Sequence, residues 1–188
     1  MAEVQESDTI AGVYVVTPRI HRDERGMFVE TYRREWFPQG REMIQANRGD
    51  RAAGCIVGLH YHLHQADYWY VPFGLARVVL HDLRAGSATD GATLTLDLGA
   101  EPGGAHDHRG VFIPPGVAHG FASLSDMTIT YLVDGYYNQA DELGVAWDDP
   151  AVDADWGVAD PVLSERDRAN PRRADIPAGV QPHAGLRP

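Results

Sequence analysis

The sequence predicts an all-β domain of the jelly-roll type, a barrel or sandwich with short helices at its edge. Three observations carry that expectation. Short runs of alternating apolar and polar residues recur along the chain, turn residues separate them at close spacing, and stretches with a helical period are scarce. Regularly spaced short strands argue two packed antiparallel sheets or a closed barrel.

Taken in order, "GVYVV" (12–16) opens the strand pattern, and "TYRREWF" (31–37) has the makings of a helical turn or two. "GLHYHLH" (58–64) alternates histidine with leucine and tyrosine. "LARVVLHDL" (75–83) is a further strand, and "ATLTLDL" (92–98) places Leu94, Leu96 and Leu98 on one face. "GVFIPPG" (110–116) follows. In "MTITYLV" (127–133), Met127, Ile129, Tyr131 and Val133 share a face. "SERDRA" (164–169) predicts a short helix after Ser164. Turns are expected at Gly86-Ser87, Asp90-Gly91, Pro102-Gly103-Gly104, Pro114-Pro115-Gly116 and Gly135. Residues 1–170 read as one domain. The remainder, 171–188, is proline-rich with little to bury, so it reads as a loosely held extension in which His183 is solvated.

Composition narrows the function. The chain has 188 residues, 44% of them hydrophobic, and a formal net charge of −11, which argues against a nucleic-acid partner. The lone cysteine, Cys55, has apolar neighbours and reads as a buried structural thiol in a reducing compartment. The acidic start lacks the basic region of a signal peptide, and no apolar run approaches the roughly 20 residues of a membrane helix. A soluble cytoplasmic protein that takes a small-molecule ligand is expected.

Alternation sends His60, His62 and His64 to one face of their strand, and Leu59, Tyr61 and Leu63 to the other. The leucine-tyrosine face suits contact with another layer, so the histidines should line the interior. Buried imidazoles need partners. One solution is a metal. His60-x-His62, four residues, Asp67, six residues, Gly74 has the spacing of the first cupin metal motif, with Asp where Glu is usual. Pro114-x-Gly116-x-x-His119 has the form of the second. His60, His62, Asp67 and His119 would suit a divalent Fe, Mn, Ni or Zn ion. The bland solution is histidines bonded to each other and to backbone.

The other solution is metal-free acid–base chemistry, and here a family resemblance enters. "DERGMFVETY" (23–32), "IQAN" (44–47), "GLHY" (58–61), "IPPGVAHGF" (113–121), "YLVDGYY" (131–137), "WDDPA" (147–151) and "LSERD" (163–167) resemble the dTDP-4-dehydrorhamnose 3,5-epimerase family, a cupin-fold group. The resemblance covers residues 12–170. It implies that His60 is a general base, Asp167 the carboxylate orienting it, and Tyr131 the acid that returns a proton to the opposite sugar face. It assigns Arg25, Phe28, Glu30, Gln45 and Asn47 to nucleotide binding, some across a homodimer interface, and His119 to the substrate site. It implies no cofactor. Read without the resemblance, Tyr131 is equally a core tyrosine, and Arg25 and Glu30 are surface charges.

Two departures stand out. The family's phosphate-binding arginine falls on Val57 and its enolate-stabilising lysine on Asp67. Losing one preorganised donor to a developing oxyanion costs roughly 2.7–4 kcal/mol. The expected function is an isomerase of epimerase type on a nucleotide-linked 4-keto-deoxysugar or similar carbonyl compound. The alternatives are a metal-dependent oxygenase or lyase, and an inactive ligand-binding cupin.

Overall fold

Two antiparallel sheets face one another in the computed structural model, which describes residues 1–37, 41–101 and 103–185. The first strands are β1 (Glu3–Glu6), β2 (Tyr14–Thr17), β3 (Ile20–Asp23), β4 (Gly26–Val29) and β5 (Gln45–Arg51). Then come β6 (Ile56–Tyr61), β7 (Asp67–Phe73), β8 (Leu75–Asp82) and β9 (Thr93–Gly99). The last are β10 (Gly110–Ile113), β11 (Val117–Ser123), β12 (Met127–Val133) and β13 (Leu143–Gly144). One sheet runs β1-β2-β10-β7-β12-β5 and the other β13-β6-β11-β8-β9, while β3 and β4 form a separate two-stranded hairpin. This is the cupin-type jelly roll that the strand pattern predicts.

The apolar faces read from sequence are the buried ones. Leu98, Met127 and Ile129 join Trp69, Val78 and Leu80 in the cluster between the sheets. Leu59 and Tyr61 point the opposite way, against Val152 and Trp156 of the segment that covers the five-stranded sheet. Phe37 stacks on Phe112 at 4.9 Å between ring centroids, closing the outside of the six-stranded sheet. The helical expectations hold in reduced form: Arg34–Trp36 is a 3-10 turn, and α1 (Glu165–Ala169) is a single short helix. Ser164 caps α1, its hydroxyl accepting from the Asp167 N–H at 3.1 Å.

Where β6 meets β11, the register shifts between His119 and Phe121: His119 pairs with His60, but Phe121 pairs with Val57. One extra residue on β6 is thereby absorbed as a bulge. The two backbones nearly touch there. A Cβ on Gly120 would lie 2.6 Å from the Val57 carbonyl, and one on Gly58, whose φ is +119°, would lie 2.7 Å from Gly120 Cα. Only glycine fits at both positions.

Three expectations are corrected. His64 does not join His60 and His62 inside; β6 ends at Tyr61, the chain turns, and His64 is exposed. The tail is not loosely held. Tyr61 donates its hydroxyl to the Val180 carbonyl at 3.0 Å, and the Ala85 N–H donates to Pro182 at 2.9 Å. Hydrogen bonds to backbone carbonyls of the tail, which composition does not reveal, do the anchoring. Cys55 is half-buried rather than buried. The expected turn at Pro102 and the last residues, 186–188, lie outside the described residues.

Candidate active site

The strand registers assemble the site. His60 and His119 stand opposite each other across β6 and β11, with ring centroids 4.2 Å apart. Asn47, Tyr131 and Trp69 form one row across β5, β12 and β7. Residues paired across a ladder project to the same face. The histidine wall of one sheet therefore faces the tyrosine wall of the other. Between them lies a cleft of about 760 Å³, counting its open mouth.

Of the residues singled out in the sequence, His60, His62, Asp67, Tyr131, Gln45 and Asn47 line this cleft. His119 packs against His60 and His62 at its floor. Asp167 lines an adjoining concavity together with His60 and Tyr131. The expected bond from Asp167 to His60 is not made: His60 Nδ1 is buried with no hydrogen-bond partner among the described residues. Asp167 sits in the first turn of α1, a different element from the sheets, and its backbone rather than its carboxylate is what Ser164 fixes.

Arg25, Phe28 and Glu30 lie elsewhere. Arg25 and Phe28 line a separate concavity on the β3–β4 hairpin, where Arg25 pairs with Asp23 at 2.6 Å and Phe28 is 65% exposed. Glu30 pairs with Arg33 at 2.6 Å.

Several cleft residues escaped the sequence reading. Gln65 donates to Asp67 Oδ1 at 2.9 Å, and Trp69 donates its indole N–H to Asp67 Oδ2 at 3.0 Å. Trp69 was findable, since it follows Asp67 by two residues on β7 and so shares its face. Arg51 and Glu142 also line the cleft. Glu142 comes from a loop far along the chain, and nothing local marks it.

Protonation follows from burial. Desolvation, reinforced by the neighbouring His119 and His62, holds His60 well below the ordinary imidazole value. Burial also pushes His119 down to about 4. Both are neutral near pH 7. The Tyr131 hydroxyl is raised, first by burial and then by the negative charges of Asp67 and Glu142, so it keeps its proton. The ligand-bearing atoms of His60, His62, Asp67 and His119 all lie within 4.8 Å of one another.

A cupin-type jelly roll with an unprotonated imidazole on one wall and a protonated phenol on the other has the equipment of acid–base catalysis on a bound small molecule. The chain belongs to the dTDP-4-dehydrorhamnose 3,5-epimerase family, a family of isomerases, whose model matches residues 7–175.

Among curated relatives, the dTDP-4-dehydrorhamnose 3,5-epimerase of Pseudomonas aeruginosa is 35% identical over 174 residues, 88% of this chain and 93% of that one. That of Shigella flexneri is 33% identical over 170 residues, 84% of this chain and 89% of its own. Solved structures agree. NovW of Streptomyces spheroides, a 4-keto-6-deoxy sugar epimerase, superposes with a TM-score of 0.89 at 31% identity, covering 99% of this chain and 95% of that one. ChmJ of Streptomyces bikiniensis, a 3'-monoepimerase in complex with dTDP-quinovose, has a TM-score of 0.84 at 29% identity, covering 95% and 93%.

Proposed function

We propose that the protein epimerises a dTDP-linked 4-keto-6-deoxy sugar by proton transfer at a carbon next to the ketone. One observation carries this reading. The neutral imidazole of His60 and the protonated hydroxyl of Tyr131 stand on opposite walls of one cleft. A base on one side of a sugar ring and an acid on the other remove a proton from one face and return it to the other. That sequence inverts the carbon. Asp167 is assigned as the carboxylate that engages the unpaired His60 Nδ1 when substrate closes the site; apo hydrogen bonds of this kind are often loose.

Gln45 and Asn47 supply amides at the cleft, and Arg51 supplies a cation where Val57 offers none. Gln45 and Asn47, with Arg51, are assigned to the nucleotide. The placement of Arg25 and Phe28 on a hairpin apart from the cleft supports a homodimer, in which the hairpin of one copy serves the site of the other. We assign the protein to the cytoplasm, the reducing compartment that a lone cysteine, Cys55, suits. Among the described residues no helix is long and apolar enough to cross a membrane. Residues 1–170 are assigned to the catalytic domain and 171–188 to a docked extension.

The test is isotope exchange. In deuterium oxide, the wild type should place deuterium next to the ketone of a dTDP-linked 4-keto-6-deoxy sugar. His60→Ala should abolish that exchange. Tyr131→Phe should abolish net epimerisation while leaving the far-ultraviolet circular dichroism unchanged. Wild-type protein that exchanges no substrate proton would end the proposal.

A further inference from the structure

Three aromatic rings contact His60, and each of them is pinned by a hydrogen bond. His119 and His62 meet it edge-on, with centroids 4.2 and 5.4 Å away, and Trp69 stacks with it at 6.3 Å and 30°. His62 Nδ1 donates to the Asp141 carbonyl and His119 Nδ1 to the Val117 carbonyl, both at 2.8 Å. The Trp69 indole N–H donates to Asp67 Oδ2 at 3.0 Å. His60 has no such pin, because its Nδ1 is buried with no partner among the described residues. The Cβ–Cγ torsion of a histidine is intrinsically broad, so the neighbouring rings decide the plane of this one.

Of the three rings, Trp69 alone donates to a side chain rather than to a backbone carbonyl. Asp67 and Trp69 stand two residues apart on β7, share its inward face, and are each 2% exposed. Asp67 Oδ1 accepts from the Gln65 amide at 2.9 Å, and the same amide reaches His62 Nε2 at 3.2 Å. Both carboxylate oxygens are therefore engaged by neighbours in the wall. The acid that falls on the family's lysine position is tied to the indole beside the base.

We propose that Asp67 is a positioning residue for the reaction: through the indole N–H of Trp69 it fixes the plane of the His60 imidazole. The inference rests on the epimerase reading, in which His60 is the base. Removing the acceptor leaves a buried N–H unsatisfied and frees the indole to turn. A base turned out of line loses rate, while the nucleotide contacts that set binding stay in place.

The test is steady-state exchange of the substrate proton in deuterium oxide, with thermal melts and dTDP calorimetry on every variant. Asp67→Leu should lower kcat by roughly 10- to 100-fold with KM and dTDP affinity unchanged. Trp69→Phe, which keeps a ring in the wall but has no N–H, should show the same loss. The double variant should be no slower than either single one, because both cut one connection. Asp67→Asn keeps an acceptor for the indole, so it should retain most of the wild-type kcat. Should Asp67→Leu lack a cooperative melt, Trp69→Phe and Asp67→Asn carry the test. Wild-type kcat in Trp69→Phe would overturn the proposal. So would additive losses in the double variant, or an Asp67→Asn as slow as Trp69→Phe. The Trp69 indole N–H resonance, assigned by its absence in Trp69→Phe, needs no substrate and should shift in Asp67→Leu. If it shifts while wild type exchanges no substrate proton, the epimerase reading fails and the positioning role goes with it. If wild type exchanges but the resonance stays put, the positioning role fails alone.

Discussion

The backbone carbonyl of Asp141 accepts the Nδ1 proton of His62 at 2.8 Å, while the Asp141 carboxylate accepts from the N–H groups of Leu63 and His64 at 2.7 and 3.1 Å. A residue from the loop after β12 thus holds the turn that follows β6 and sets the tautomer of a cleft histidine. Asp141 is a positioning residue. Asp141→Ala should cost roughly 1–3 kcal/mol, because two N–H groups lose a charged acceptor. A urea midpoint equal to the wild type, with an unaltered His62 nitrogen NMR spectrum, would count against this role.

Arg51 carries the cation that the cleft presents to an anionic ligand, and its guanidinium donates to the neighbouring Asp50 carbonyl at 2.8 Å. Under the nucleotide reading, Arg51→Ala removes a charge-assisted bond worth roughly 1.5–3 kcal/mol. Calorimetry with dTDP should then show affinity falling by about 10- to 100-fold. Unchanged affinity would move the pyrophosphate away from Arg51.

Acid should destabilise the fold through His81. Its ring is fully buried, its Nδ1 donates to Thr93 Oγ1 at 2.8 Å, and its Nε2 has no partner among the described residues. Burial pushes it down to about 4; Arg173 acts in the same direction, and Asp82, Asp149 and Asp90 oppose it. With the folded value depressed, the unfolded chain binds the proton first. The contribution is complete above about pH 6.5 and is lost as pH falls from there to about 4, in total about 3 kcal/mol. Urea unfolding of His81→Gln should show a flatter dependence over that window. Parallel curves for variant and wild type would exclude His81 as the source.

Gly120→Ala tests the crossing of β6 and β11. Its Cβ would meet the Val57 carbonyl at 2.6 Å and Gly58 Cα at 3.2 Å, both backbone. Neither neighbour can rotate away, so stability should drop by roughly 1–3 kcal/mol. Activity should fall further than stability predicts, since the same strands carry His60 and His119. A variant as stable as the wild type would show that the bulge can slide.

The sequence by itself determined the layers. Alternation on β9 and β12 assigns Leu98, Met127 and Ile129 to the core, and alternation on β6 sends Leu59 and Tyr61 outward, because a strand's side-chain period is two regardless of its partners. The same rule, with the two histidine motifs, brings His60, His62, Asp67 and His119 together. It failed where the period breaks. The extra residue on β6 changes the parity of that strand, so Val57 lines the cleft with His60 while Ile56 packs outside. His64 left the site because β6 ends three residues before it. Tertiary structure alone decided the rest. Asp141 reaches His62 across 79 residues of chain, and the tail docks through backbone hydrogen bonds. Such contacts depend on which loops two sheets bring side by side, and no local period encodes that.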